Sequence, residues 1–206
     1  MGRVSTPTAR VRLSPEQRRR QLLDLGTRLF ATRAVEEISI DVLAEEAGVS
    51  RGLLYHYFGS KQDFREAVIR HAVEDLVEQT APPASGEPLE RLAASVGVYV
   101  DYVLANLTGY RSLVRAAAGG SEELRAIYEE ARAALTDRIF REDSLGEHLS
   151  DDPATRLVVR GWSALVEETV LTWAQEPSAM SRDALVDTLV AALPALVGVI
   201  ADGAAG

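Results

Sequence analysis

The stretch "GVSRGLLYHYFGSK", Gly48 to Lys61, packs Tyr55, His56, Tyr57 and Phe58 between two helix-breaking glycines and carries a third glycine, Gly52, inside. Gly48 suits the left-handed residue that ends a helix, and Ser50 suits the cap that starts the next one. Two short helices joined by "AGVS" have the spacing of a helix-turn-helix, whose second helix enters the major groove of DNA. On a wheel of about 100° per residue, Leu54 and Phe58 share one face and belong to a core. Gly52 and His56 fall on the opposite face beside Leu53, with Tyr55 and Tyr57 on the flanks. Arg51 stands at the helix N-terminus, where backbone amides already favour an anion. Gly52 costs about 1 kcal/mol of helix propensity relative to alanine, a cost that close approach of the backbone to base edges would explain.

Working outward, Ser14 and Pro15 predict a helix start, with Leu22, Gly26, Leu29 and Phe30 as its apolar stripe to about Arg33. Ser39 caps a second helix that sets Ile40, Leu43, Ala44 and Ala47 against Asp41, Glu45 and Glu46. "SKQD", Ser60 to Asp63, reads as a capping box opening a fourth helix towards Gln79, in which His71 reads as structural. "TAPPASGEP", Thr80 to Pro88, has the composition of a connector. Beyond it the period predicts five more helices, over roughly 87 to 106, 108 to 118, 121 to 142, 153 to 175 and 181 to 201. Pro194 should kink or restart the last one. Runs alternating with period two are absent, so the chain is all-α, with about nine helices. The expected organisation is a basic arm over 1 to 14, a DNA-binding unit over 15 to 80 and a larger helical body over 81 to 206.

Charge supports one polyanion-binding end. The chain carries a net charge of -9, yet residues 1 to 35 hold eight arginines against Glu16 and Asp24. The leader "RVSTPTARVR" reads either as a disordered tail or as an arm that follows the minor groove. There is no cysteine, and the three histidines are His56, His71 and His148, the last in a loop. Disulfides and thiolate metal sites are thereby excluded, and neither a metal nor a cofactor is expected. No run of 18 apolar residues and no signal-peptide pattern occurs, so a soluble cytoplasmic protein without a membrane partner is expected.

Between Arg20 and Ala72, "LLDLGTRLF" and "ISIDVLAEEAGVSRGLLYHYFGSKQDF" closely resemble the DNA-binding domain of the TetR family of bacterial transcriptional repressors. The resemblance implies a homodimer that binds a palindromic operator on double-stranded DNA and releases it when a small molecule enters the C-terminal body. Carried over by position, it puts Arg51, Gly52 and Leu53 against bases. Ser39, Ser50, Tyr55, His56, Tyr57 and Lys61 would mainly contact phosphates, although Tyr57 reads equally well as core. One departure is Ala34, where the family usually has glycine after the first helix, so either a left-handed alanine or a different turn is expected. The family's dimer forms through the last two helices, and "GWSALVEETVLTWA" and "DALVDTLVAALPALVGVI" are apolar enough for that.

A pocket in the body would be apolar with a few polar groups. Its candidates are Tyr99, Asp101, Tyr102, Asn106, Tyr110, Arg115, Tyr128, Trp162 and Glu168. Asp101, a lone acid on an apolar helix, would either pair with Arg111 or Arg115 or meet the ligand. The alternative is a helix-turn-helix regulator whose body is a protein-interaction module with a solid core. An enzyme is not supported: "GWSAL" lacks the second glycine of a nucleophile elbow, and no Gly-rich phosphate loop or metal-ligand spacing occurs.

Overall fold

A computed structural model of the chain describes residues 14 to 141 and 149 to 204; the basic leader and the 142 to 148 segment with His148 lie outside them. Among the described residues there are nine α-helices and no strand. They are α1 (Pro15–Thr32), α2 (Ile40–Ala47), α3 (Arg51–Phe58), α4 (Lys61–Gln79), α5 (Pro88–Ala105), α6 (Leu107–Ala118), α7 (Glu122–Arg141), α8 (Pro153–Trp173) and α9 (Arg182–Ala204).

Local chemistry fixes the first four. The Ser14, Ser39, Ser50 and Ser60 hydroxyls each accept the backbone N–H three residues on, starting α1, α2, α3 and α4. Gly48 ends α2 at φ 62° and Gly59 ends α3 at φ 76°, where a side chain would be strained. Ala34 settles the turn after α1 without a left-handed residue. It is extended at φ -65°, ψ 154° and leads into a single 3-10 turn, Val35–Glu37. α9 runs through the exposed Pro194 as one helix, so of the two expectations, a kink or a restart, the restart does not occur.

Two apolar clusters hold the molecule together. The first joins α1 to α4 with Leu113 of α6 and Leu124 and Ile127 of α7. The second is built by α5, α8 and α9, with Leu76 of α4 and Tyr110 of α6. The clusters therefore interlock across the connector instead of dividing at it. Helix α6 makes the tightest seam: a Cβ on Gly109 would lie 2.1 Å from the Phe30 carbonyl oxygen, so only glycine lets α6 meet the main chain of α1. One turn on, the Val35 N–H donates to Ser112 Oγ at 2.9 Å, and that hydroxyl donates to Glu36 at 3.0 Å. Asn106 turns α5 into α6 through 94°, its side-chain amide donating to the Tyr102 carbonyl.

Candidate nucleic-acid interface and ligand cavity

Helix α3 buries Leu54 and Phe58 and exposes Arg51, Gly52, Tyr55 and His56, with Leu53 and Tyr57 half-buried. A Cβ on Gly52 would meet nothing nearer than the Ser50 hydroxyl, at 4.0 Å. Among the described residues no neighbour demands glycine there. The Tyr57 ring packs on the edge of the first cluster and meets His56 edge-on at 5.5 Å, which draws it towards the core. Ser39 and Ser50 use their oxygens as caps, and each keeps its own O–H free to donate, as a phosphate contact requires. Arg51 and Lys61 converge on one carboxylate: Asp41 of α2 lies 2.8 Å from Arg51 Nε and 3.6 Å from Lys61 Nζ. All three are exposed enough for solvent to keep these pairs weak.

The body holds a half-open cavity of about 130 Å³, walled mainly by apolar side chains of α4 to α8. Tyr99, Tyr110, Tyr128 and Trp162 line it, as do Ser95, Arg132, Arg138 and Glu167, which the sequence did not single out. Its polar end is one network: Tyr128 donates to both Glu167 oxygens at 2.6 and 2.9 Å, and Tyr110 reaches Glu167 at 3.4 Å and Tyr99 at 2.9 Å. Burial raises the Glu167 pKa above the ordinary carboxylate value, against the lowering pull of Tyr128, Arg132 and Tyr110. Burial likewise raises the three phenols, which stay protonated as donors. The Ser95 hydroxyl is buried with no hydrogen-bond partner among the described residues.

Five of the expected lining residues lie elsewhere. Asp101 is exposed and takes a two-pronged ion pair from Arg182 of α9, both contacts at 2.7 Å, instead of meeting Arg111, Arg115 or the cavity. Tyr102 is buried, but its hydroxyl donates to the Ala72 carbonyl and ties α5 to α4. Asn106 serves the α5–α6 corner, and Arg115 is exposed. Glu168 is exposed too, accepting from Thr172. Its neighbour Glu167 faces inward because it shares the buried arc of α8 with Ser163, Val166 and Val170. On a wheel centred on Val166 and Val170, Glu167 lies about 80° from the buried direction and Glu168 about 180° from it.

Residues 22 to 68 match the model for bacterial regulatory proteins of the tetR family. Residues 88 to 196, more than half of the chain, match the tetracyclin repressor-like C-terminal domain. The chain belongs to the TetR family. It is a transcriptional regulator with a DNA-binding domain, and its relatives are regulators, not enzymes. It is 27% identical over 185 residues to the HTH-type transcriptional activator FasR of Mycolicibacterium smegmatis, covering 87% of this chain and 82% of that one. A TetR-family regulator from Streptomyces coelicolor superposes with a TM-score of 0.79 at 35% identity, over 91% of this chain and 83% of that one. The transcriptional regulator FadR of Bacillus subtilis, solved in complex with stearoyl-CoA, shares the fold with a TM-score of 0.61 at 18% identity, over 84% of this chain and 96% of that one.

Proposed function

We propose that this TetR-family regulator is a cytoplasmic homodimeric repressor that binds a palindromic operator and leaves it when a small, largely apolar effector fills the cavity. The reading heads are the units over 15 to 80, with Arg51, Gly52 and Leu53 against bases. Ser39, Ser50, Tyr55, His56, Tyr57 and Lys61 contact phosphates. The body over 81 to 206 takes the effector between Tyr99, Tyr110, Tyr128, Trp162 and Glu167. A solid core would favour a protein-interaction module; the cavity supports a ligand.

The observation that carries the reading is that α4 and α6 each touch both places. Val73 and Leu76 of α4, with Thr80 just past its end, line the cavity, and the same helix packs on α1. Tyr110 of α6 lines the cavity while Gly109 and Ser112 press on α1 and the turn after it. Occupancy displaces these helices and changes the separation of two reading heads from the roughly 34 Å of one DNA turn. The dimer is supported by the apolar residues that α8 and α9 leave exposed, Leu157 at 71% and Val199 at 70% with Leu165 and Leu196 between them. The Arg182–Ile200 stretch of α9 is long and apolar enough to cross a membrane but is only 28% buried in one subunit; a four-helix interface would cover it.

Selection of sites from a randomised duplex pool tests the proposal. The enriched sequences should carry two symmetric half-sites, and their affinity should fall steeply with salt; a pool without symmetry refutes the dimeric operator. Arg51→Ala should weaken binding to the selected site by about 1–3 kcal/mol without changing the thermal transition. An effector that binds free and DNA-bound protein equally would refute the coupling.

A further inference from the structure

The chemistry of the effector can be narrowed from the polar end of the cavity, an inference that rests on the proposed function. Glu167 is only 9% exposed, and the hydrogen bonds that hold it come from Tyr128 and Tyr110, which are neutral phenols. Neutral donors orient a carboxylate without cancelling its charge. Arg132 is felt at Glu167, yet desolvation is still the larger effect there. The Arg132 guanidinium stands over the Tyr128 ring, 5.5 Å from its centre. Arg138, the other guanidinium in the lining, donates to the Val77 carbonyl at 2.6 Å and to Thr80 Oγ1 at 3.4 Å, at the end of α4.

The aromatic residues around Glu167 have their polar tips engaged. Tyr99 and Tyr110 share a hydrogen bond, Tyr128 is tied to Glu167, and the Trp162 indole N–H donates to the Leu189 carbonyl. What these four residues leave for a ligand is ring surface, already met by Arg132 at Tyr128, and the negative quadrupole of such rings attracts cations. We propose that the cavity takes a small lipophilic ammonium, its charge set against Glu167 and its body against the rings of Tyr99, Tyr110, Tyr128 and Trp162. A carboxylate in that position would be repelled by Glu167, and a neutral ligand would leave the buried charge uncompensated. A space of about 130 Å³ suits a body the size of one aromatic ring.

The test uses three probes with one body and different heads: phenethylamine, 2-phenylethanol and 3-phenylpropionate. Each is titrated calorimetrically into the full-length protein near neutral pH and added separately to the complex with its selected DNA. Phenethylamine should bind about tenfold or more tightly than the other two. Glu167→Gln should abolish that preference, and Tyr128→Phe, which keeps the carboxylate, should retain it, with folding of both checked by circular dichroism. Equal or tighter binding of the alcohol or the carboxylate overturns the proposal. So does a preference that survives Glu167→Gln, or no binding by any probe. If the alcohol or carboxylate binds and releases the DNA, the ligand-responsive repressor stands and only the ammonium assignment falls. If phenethylamine binds through Glu167 and the DNA stays in place, the assignment stands and the coupling falls.

Discussion

The two apolar clusters are made of the same helical material and differ in what they bury. Around α1 to α4 the buried side chains of the cluster are leucine, isoleucine, valine, alanine and phenylalanine, and at its edge Arg65 Nε of α4 is buried without a hydrogen-bond partner among the described residues. Around α5, α8 and α9 the cluster holds Tyr99, Tyr102, Tyr110 and Trp162, borders a half-open cavity and keeps inside it Glu167 and a Ser95 hydroxyl unpaired among the described residues. A reading head has to present side chains in fixed register, which dense packing supplies. A receiving domain has to leave room and unspent polarity, both of which cost stability. The same comparison explains why the first cluster borrows Leu113, Leu124 and Ile127 from the body: a unit of four helices, two of them only eight residues long, has little interior of its own.

If that contrast is right, truncation and filling should act oppositely in the two places. Phe64→Ala, at a fully buried site of the first cluster, should have the largest effect, lowering unfolding free energy by about 3–5 kcal/mol in denaturant titrations. Gly109→Ala, at the seam between the clusters, should cost about 3 kcal/mol, because the new Cβ meets a backbone carbonyl that cannot rotate away. Ser95→Ala in the second cluster should do the reverse and raise stability by about 1 kcal/mol, since it removes a buried hydroxyl without a partner among the described residues. A loss at Ser95 comparable to that at Phe64 would erase the distinction.

The smallest expected effect depends on pH. Burial raises the folded-state pKa of Glu167, so its stabilising contribution is full below the unfolded value of about 4.5 and is lost as pH rises through the folded one. Tyr99, Tyr110, Tyr128, Arg132 and Glu168 are the ionisable groups that act on it or share its network. Wild type and Glu167→Gln should therefore be closest in stability in acid, with the variant gaining relative to wild type towards neutral pH. Parallel stability curves from pH 4 to 8 would show that the carboxylate is not penalised by its surroundings.

The reading head was legible in the sequence because its determinants are local. Caps three residues from their targets and glycines at forced φ values are written within single turns of chain, and Ser39, Gly48, Ser50 and Ser60 all occupy the roles their positions imply. Helix limits in the body were legible for the same reason, through Pro88 and Pro153 at helix starts. The cavity was not, because it depends on pairings across the chain. Asp101 finds its partner 81 residues away, and Tyr128 meets a carboxylate 39 residues on. Adjacent acids such as Glu167 and Glu168 differ only by one step of a wheel, which is enough to send one inside and the other into water. At Ala34 the sequence left two alternatives, a left-handed alanine or a different turn, and the structure shows the second, an extended Ala34 leading into a 3-10 turn.

The seam at Gly109 has a mechanical consequence. Where side chain packs on side chain, a small displacement is absorbed by rotamer change and dies out within a layer. At Gly109 there is no side chain on one face and a main-chain carbonyl on the other. Such a joint has no side chain to adjust on the α6 side, so a displacement of α6 beside Tyr110 is expected to carry α1 with it.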